Sequence, residues 1–252
     1  YRPVTLLEPI LKATMARTSD RLLDLFQAEN LLDSAQYAFL RGGSTATPIE
    51  IMTAIVQDSR ARGKPCHLVL LDATSAYDTI PDYATDIALA SIGAPPEFIK
   101  WIRASLKGHM RMIKTRCGLS KEDESFHLGG LVQGCPLSPV LWCVVINLAM
   151  TFAAKTGGNG YELAKAGEIP KLDKAVNAKY LTYADDLAVF DHTKEGAERT
   201  VQALVSVLGI MNVRLSPKKC IHCWSQASHS LRKTSTADLE DPRAAPNGLD
   251  AT

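Results

Sequence analysis

Apolar residues return at helical spacing through Ile10, Leu11, Met15, Leu22 and Leu25, and the spacing predicts a first helix there. A polar connector leads to Arg41-Gly42-Gly43-Ser44-Thr45, after which Thr47-Pro48 opens a second helix to about Arg62, proline being tolerated in a first turn. His67 to Leu71 is a short run, apolar after the histidine, that fits a strand buried on both faces and ends at Asp72. Two further helical patterns cover 82–91 and 96–107, divided by Gly93-Ala94-Pro95. His109 to Arg116 alternates and Glu124 to Leu128 is short, so a hairpin with a polar loop around Lys121 is expected. Ser138-Pro139 should cap a buried helix that runs to about Lys155 and breaks at Gly157-Gly158-Asn159-Gly160. Lys179 to Tyr183 and Leu187 to Phe190 read as short strands with Ala184-Asp185-Asp186 at the turn. Glu195 to Ile210 reads as an amphipathic helix, and Val213 to Trp224 as a returning loop and strand. Beyond that the chain is rich in Ser, Ala, Pro and Asp without apolar period, and 225–252 is expected to be a disordered tail.

Composition narrows the class more than the function. A chain of 252 residues, 46% hydrophobic and 22% charged, can bury roughly 70 to 75% of its unfolded surface, enough for one large domain or two small ones. Disordered, collagenous and fibrous classes are excluded. With 28 basic and 27 acidic side chains the net charge is +1, so nucleic-acid binding would need a local patch. One candidate exists: between Phe98 and Lys121 there are seven Lys or Arg and no acid, interleaved with Trp101, Ile102, Met110, Met112 and Ile113. Lys100, Arg103, Lys107, Arg111, Lys114 and Arg116 would there meet phosphates, the plainer alternative being a solvated helix face and hairpin. Pro139 to Ala154 is shorter than the roughly 18 to 20 residues of a membrane span and carries Asn147, so no membrane partner is expected. No leader-like succession opens the chain, and the six cysteines lie mostly among apolar neighbours, which predicts reduced thiols in an intracellular setting. The start at Tyr1 rather than Met implies a fragment of a longer protein.

The candidate chemistry lies in carboxylates. Asp72 ends an apolar strand, where a carboxylate is seldom buried unless paired or cation-bound, and Asp185 and Asp186 sit together in a tight turn. Three ionised carboxylates meeting would repel by about 4 kcal/mol per pair near 4 Å at an effective dielectric of 20. A cation must then sit between them, and oxygen ligands alone favour Mg²⁺ or Mn²⁺. Two such ions serve in-line phosphoryl displacement. Taken alone, an Asp-Asp pair in a turn is ordinary solvated turn chemistry. Cys220-Ile221-His222-Cys223 with His229 lacks the second cysteine pair of a zinc finger.

The neighbours of these aspartates form an ordered series. Val69-Leu70-Leu71-Asp72-Ala73-Thr74-Ser75-Ala76-Tyr77-Asp78, then Gly130-Leu131-Val132-Gln133-Gly134-Cys135-Pro136-Leu137-Ser138-Pro139, then Tyr183-Ala184-Asp185-Asp186 resemble the palm motifs of reverse transcriptases. Tyr1-Arg2-Pro3-Val4 and Gln36-Tyr37-Ala38-Phe39 with Gly42-Gly43-Ser44-Thr45 resemble fingers signatures of the non-LTR, LINE-type retrotransposon branch. The likeness covers roughly residues 1 to 222. It implies an α+β fold of right-hand fingers and palm, an antiparallel palm sheet flanked by helices, with the thumb absent. Fingers would comprise 1–65 and a hairpin at 108–130; palm would comprise 66–107 and 131–224.

The resemblance also implies roles. Asp72, Asp185 and Asp186 would be catalytic and hold two Mg²⁺ or Mn²⁺ ions, with the Ala73 carbonyl as a further ligand. Thr74, Ser75, Ala76 and Tyr77 would contact the incoming nucleotide, the Tyr77 ring excluding a ribose 2′ hydroxyl unless it is simply a core tyrosine. Gln133 and Gly134 would lie close to the nucleotide, Arg2 would clamp its triphosphate, and Lys219 would serve the leaving pyrophosphate, Lys218 being close enough in register to be confused with it. Ser216 stands where the family usually has Asn. The implied activity is RNA-directed DNA synthesis from dNTPs on an RNA template and DNA primer, nuclear during integration in a eukaryotic element. No endonuclease or RNase H segment is visible, so thumb and endonuclease are expected in the full-length protein. The alternatives are a truncated or decayed element that binds nucleic acid without polymerising, and an intron-type relative.

Overall fold

A computed structural model of the chain describes residues 5–74, 76–106, 114–115, 118–119, 130–164, 176–225 and 232–235. In chain order the elements are α1 (Pro9–Ala28), α2 (Ala46–Arg62), β1 (Cys66–Thr74), the single turn α3 (Ala76–Thr79), α4 (Asp82–Ser91), α5 (Pro96–Leu106), β2 (Lys114–Thr115), β3 (Gly118–Leu119), α6 (Ser138–Thr156), β4 (Tyr161–Ala164), β5 (Val176–Ala178), β6 (Tyr180–Tyr183), β7 (Asp186–Asp191), α7 (Lys194–Ile210), β8 (Arg214–Leu215), β9 (Ile221–Ser225) and β10 (Arg232–Ser235). The main sheet runs β10-β9-β1-β7-β6, with β8 also on β1, and all these pairings are antiparallel.

Alternation along the strands divides the interior in two. Val69, Leu71, Ala73, Leu187 and Val189 face a large core built by α1, α4, α6 and α7, whereas Leu68, Ala188, Leu181 and Phe190 face a smaller one with Ile55 of α2 and Tyr161 of β4. Central strands apolar on both faces explain why His67 to Leu71 reads as a continuous run. Helix α6 is the spine of the larger core: Leu141, Trp142, Cys143, Val145, Ile146 and Met150 are fully buried. Each such large apolar side chain contributes about 1.5 to 3 kcal/mol on leaving water. At 19 residues α6 is long and apolar enough to cross a membrane, so the length argument from Pro139–Ala154 does not hold; its burial by the surrounding helices makes it a core helix.

Several expectations are corrected. Strand β1 continues past Asp72, because Ala73 and Thr74 pair with Leu215 and Arg214 of β8; Thr74 therefore closes a strand instead of opening a turn. Ser138 does not cap α6: Leu137 is the cap residue, without a side-chain bond, and the Ser138 hydroxyl donates back to the Val132 carbonyl at 2.8 Å. The turn between β6 and β7 holds only Ala184 and Asp185, since Asp186 already pairs with Tyr183. Arg232–Ser235, expected in a disordered tail, forms β10 on the edge of the sheet beside β9. The hairpin expected over 108–130 is described only as β2 against β3, and Glu124 to Leu128 lies outside the described residues. Strands β4 and β5 have no counterpart in the apolar pattern.

The Gln36-Tyr37-Ala38 segment is bound to β6. Thr182 N–H donates to the Ala35 carbonyl at 2.9 Å and Tyr37 N–H to the Thr182 carbonyl at 3.0 Å, a short parallel bridge. Gln36 is buried, and its amide donates to the Cys143 sulfur of α6 at 3.1 Å. The five cysteines among the described residues are all free thiols.

Candidate active site

Strands β1 and β7 bring the distant carboxylates together. Asp72 and Asp186 are register partners, which puts both side chains on one face of the sheet with Cβ atoms about 4.5 to 5.5 Å apart. Asp185 follows Ala184 in the two-residue turn beside them. Ala184 has φ 56°, a left-handed conformation that costs an alanine about 1 to 2 kcal/mol. The turn is tied from below: the indole N–H of Trp142, fully buried in α6, donates to the Ala184 carbonyl at 2.7 Å.

Among the described residues Lys219 is the cation that faces these carboxylates. Burial first, then the Asp185 and Asp72 carboxylates, push the Asp186 carboxyl above its ordinary range, while Lys219 acts the other way. Lys219 Nζ lies 3.0 Å from Oδ2 and 3.4 Å from Oδ1 of Asp72. The loop explains how it arrives: Ser216 N–H donates to the Asp72 carbonyl at 2.8 Å, and Lys219 and Cys220 donate back to the Ser216 carbonyl. Lys219, not Lys218, therefore occupies the position at Asp72. Among the described residues no three Asp, Glu, His or Cys side chains close on one point as a ready-made ion cage, and this includes the Cys220 to Cys223 stretch. The oxygen-only donors and their mutual repulsion nevertheless fit a hard divalent cation.

The remaining candidates divide. Tyr77 is half-buried, stacked on Trp142 with ring centroids 5.5 Å apart, and its carbonyl accepts from Leu131 N–H at 2.7 Å. Burial, above all, raises its phenol pKa, with smaller contributions from Cys143 and Asp185. Gly134 has φ 101°, and a Cβ there would stand 2.5 Å from the Thr5 carbonyl, while Thr5 N–H donates to the Gln133 carbonyl at 2.8 Å. The close approach expected at Gln133-Gly134 is thus made by the N-terminal segment. Arg2 and Ser75 lie outside the described residues, as do the side chains of Thr74 and Ala76. In the basic stretch Lys100 is exposed, Arg103 is ion-paired with Asp86 of α4, and Lys107, Arg111, Arg116 and the Lys114 side chain lie outside the description. Arg103 is therefore partly neutralised within the fold, although half of its side chain is exposed.

Sequence comparison decides the family. Residues 1–233 match the family model described as reverse transcriptase (RNA-dependent DNA polymerase). The chain belongs to the reverse transcriptase family. It is similar to the Retrovirus-related Pol polyprotein of the type-1 retrotransposable element R2 of Nasonia vitripennis, 24% identical over 75% of this chain and 17% of that protein. It is also similar to that of the type-2 element R2DM of Drosophila melanogaster, 25% identical over 87% of this chain and 19% of that protein. These relatives bear out a reverse transcriptase domain of a non-LTR retrotransposon, and the domain spans about a fifth of their length. Among solved structures, apo telomerase of Candida tropicalis truncated from its C-terminal domain superposes with TM-score 0.56 at 13% identity, covering 86% of this chain and 41% of that one. That likeness shows the fold alone, and with the antiparallel sheet between helices it agrees with the expected palm and fingers.

Sequence reasoning missed Trp142, which touches both Tyr77 and the Ala184-Asp185 turn. A tryptophan within an apolar helix reads only as core; its polar N–H, which needs a partner when buried, was the available signal.

Proposed function

We propose that the reverse transcriptase domain adds dNTPs to a primer 3′ hydroxyl, copying an RNA template, and that Asp72, Asp185 and Asp186 are its catalytic carboxylates. The observation that carries this reading is the pairing of Asp72 with Asp186 across β1 and β7, with Asp185 on the adjoining turn. In the reaction the 3′ oxygen bonds to the α-phosphorus as the bond to pyrophosphate breaks, and the hydroxyl proton leaves to solvent or base. Bound Mg²⁺ or Mn²⁺, two ions held by Asp72, Asp185, Asp186 and the Ala73 carbonyl, would stabilise the developing charge. Asp72 and Asp186 would orient the site from the end of the β1–β7 ladder. Lys219, held at Asp72 and 65% exposed, can reach toward solvent and meet the leaving pyrophosphate. Tyr77, with its ring fixed by stacking, would exclude the ribose 2′ hydroxyl, so Tyr77→Val should admit ribonucleotides; unchanged dNTP preference would remove that role.

Thr74, Ser75, Ala76, Gln133 and Gly134 complete the nucleotide site in this reading. Arg2, three residues before the Thr5 segment seated on Gln133-Gly134, would clamp the triphosphate. Lys100 with the adjoining basic stretch would meet the template-primer backbone. In this reading the fingers comprise 1–65 and 108–130 and the palm the rest to 224, with thumb and endonuclease supplied by the full-length protein, which would act in the nucleus at integration if the element is eukaryotic. The test is Mg²⁺-dependent primer extension on RNA and DNA templates with Asp185→Asn as control. Extension by the wild type and its loss in the variant support the proposal; nucleic-acid binding without extension would leave a non-polymerising element.

A further inference from the structure

We propose that Trp142 is a positioning residue that fixes the sugar-edge tyrosine and the carboxylate turn relative to each other. This rests on the polymerase reading above and adds a residue to it. Three observations converge on one side chain. The indole ring stacks on Tyr77 at 5.5 Å with 24° between planes. Its N–H donates to the Ala184 carbonyl at 2.7 Å, across 42 positions of sequence. The ring itself has no exposed surface and is anchored on α6 between Leu141 and Cys143, which are equally buried.

The two contacts are chemically separable. Stacking needs only an aromatic face, whereas holding the turn needs a donor. Ala184 is a non-glycine residue with positive φ at the first position of a two-residue loop, a place where glycine is normally preferred. The hydrogen bond from Trp142 therefore meets the turn at its conformationally least favourable residue. Asp185 follows directly, so displacement of the Ala184 carbonyl displaces that carboxylate. Tyr77, in turn, is linked to the loop before α6 by the Leu131 N–H on its carbonyl. One indole thus spans the segment after β1 and the turn before β7.

Steady-state primer extension on the wild type, Trp142→Phe and Trp142→Leu separates the contacts. Trp142→Phe keeps a ring and loses the donor; kcat should fall about tenfold, the value of one buried hydrogen bond, with dNTP-over-rNTP preference within about twofold of wild type. Trp142→Leu loses both, so preference should also fall, by about tenfold or more, and phenylalanine at this position should rescue it. Equal loss of preference in both variants, or unchanged kcat in Trp142→Phe, overturns the proposal. A wild type that fails to extend primers instead overturns the polymerase reading. Indole hydrogen exchange in the wild-type protein needs no variant to fold: a protected Trp142 N–H is expected, and rapid exchange would contradict the contact with Ala184.

Discussion

Strands β1 and β7 carry a carboxylate at each end of their shared ladder, and the two ends are built in opposite ways. At one end Asp191 is 2% exposed and its oxygens accept from Gly160 N–H at 2.8 Å, Thr193 N–H at 2.9 Å and the Thr193 hydroxyl at 3.0 Å. Gly158 and Gly196 pack so closely that an added Cβ at either would collide with it. At the other end Asp72 and Asp186 face each other, with Asp185 adjacent and one largely exposed lysine as counter-charge. A carboxylate whose acceptor capacity is taken up by backbone N–H groups and a neighbouring hydroxyl serves the fold. One whose neighbours are other carboxylates is costly to the fold and implies an external cation or substrate.

The largest effect should come from exchanging the charge at each end. Asp72→Asn should cut primer extension by about a thousandfold or more while the folded state is at least as stable as wild type, since a repulsive neighbour is removed. Thermal melting and extension are measured on the same protein; surviving activity or a lost fold would contradict a catalytic role for Asp72. Asp191→Ala, by contrast, orphans buried donors and should cost about 3 kcal/mol, roughly 6 to 12 °C in Tm. A melting point within 2 °C of wild type, on the same scale, would contradict its structural role.

Lys219→Met should slow turnover roughly a hundredfold but cost less than about 1 kcal/mol of stability, because the ion pair is exposed on the lysine side. Lys218→Met should change neither; a reversal between the two lysines would show that the Ser216 turn sets a different register. The smallest effect concerns the Asp191 end, where His67 Nδ1 lies 3.1 Å from His222 Nε2. Burial lowers both pKa values, most strongly opposed at His67 by Glu195 and then Asp191, with Lys194 acting in the same sense as burial and Glu198 against it; at His222 the neighbouring His67 and Lys194 add to the lowering and Glu198 opposes it. A depressed histidine pKa means that the fold favours the neutral ring. Stability is then fully present above the unfolded value near 6.5 and declines as pH falls through it toward the folded value. Melting between pH 7.5 and 5.5 should show this decline, flattened in the His67→Gln/His222→Gln double variant and retained in Asp72→Asn.

The functional end was largely legible in the sequence, and the structural end was not. Asp72 closes an apolar run and Asp185-Asp186 lie in a turn between two apolar strands, but that pattern alone is ordinary turn chemistry; the resemblance of the surrounding motifs to those of reverse transcriptases is what marks them as candidates. Asp191 also follows an apolar strand, yet its role depends on Gly160 and Thr193, whose spacing carries no periodic signal. Lys219 is the lysine that the resemblance implies, and the Ser216 turn onto the Asp72 carbonyl is what separates it in space from Lys218. Helices α4 and α7 were readable from their period and α6 from its nearly unbroken apolar run, whereas β10 lies in a polar stretch and exists through pairing with β9. Trp142 escaped because its two functional contacts are long-range, one of them 42 residues away.

The most direct measurement is Mn²⁺ binding, followed by electron paramagnetic resonance, to the protein with RNA template, dideoxy-terminated DNA primer and the matching dNTP. Protein-dependent binding is expected in the wild type, lost in Asp72→Asn and in Asp185→Asn and retained in Asp191→Asn. Undiminished binding in the first two variants would contradict the assignment of these carboxylates to the reaction.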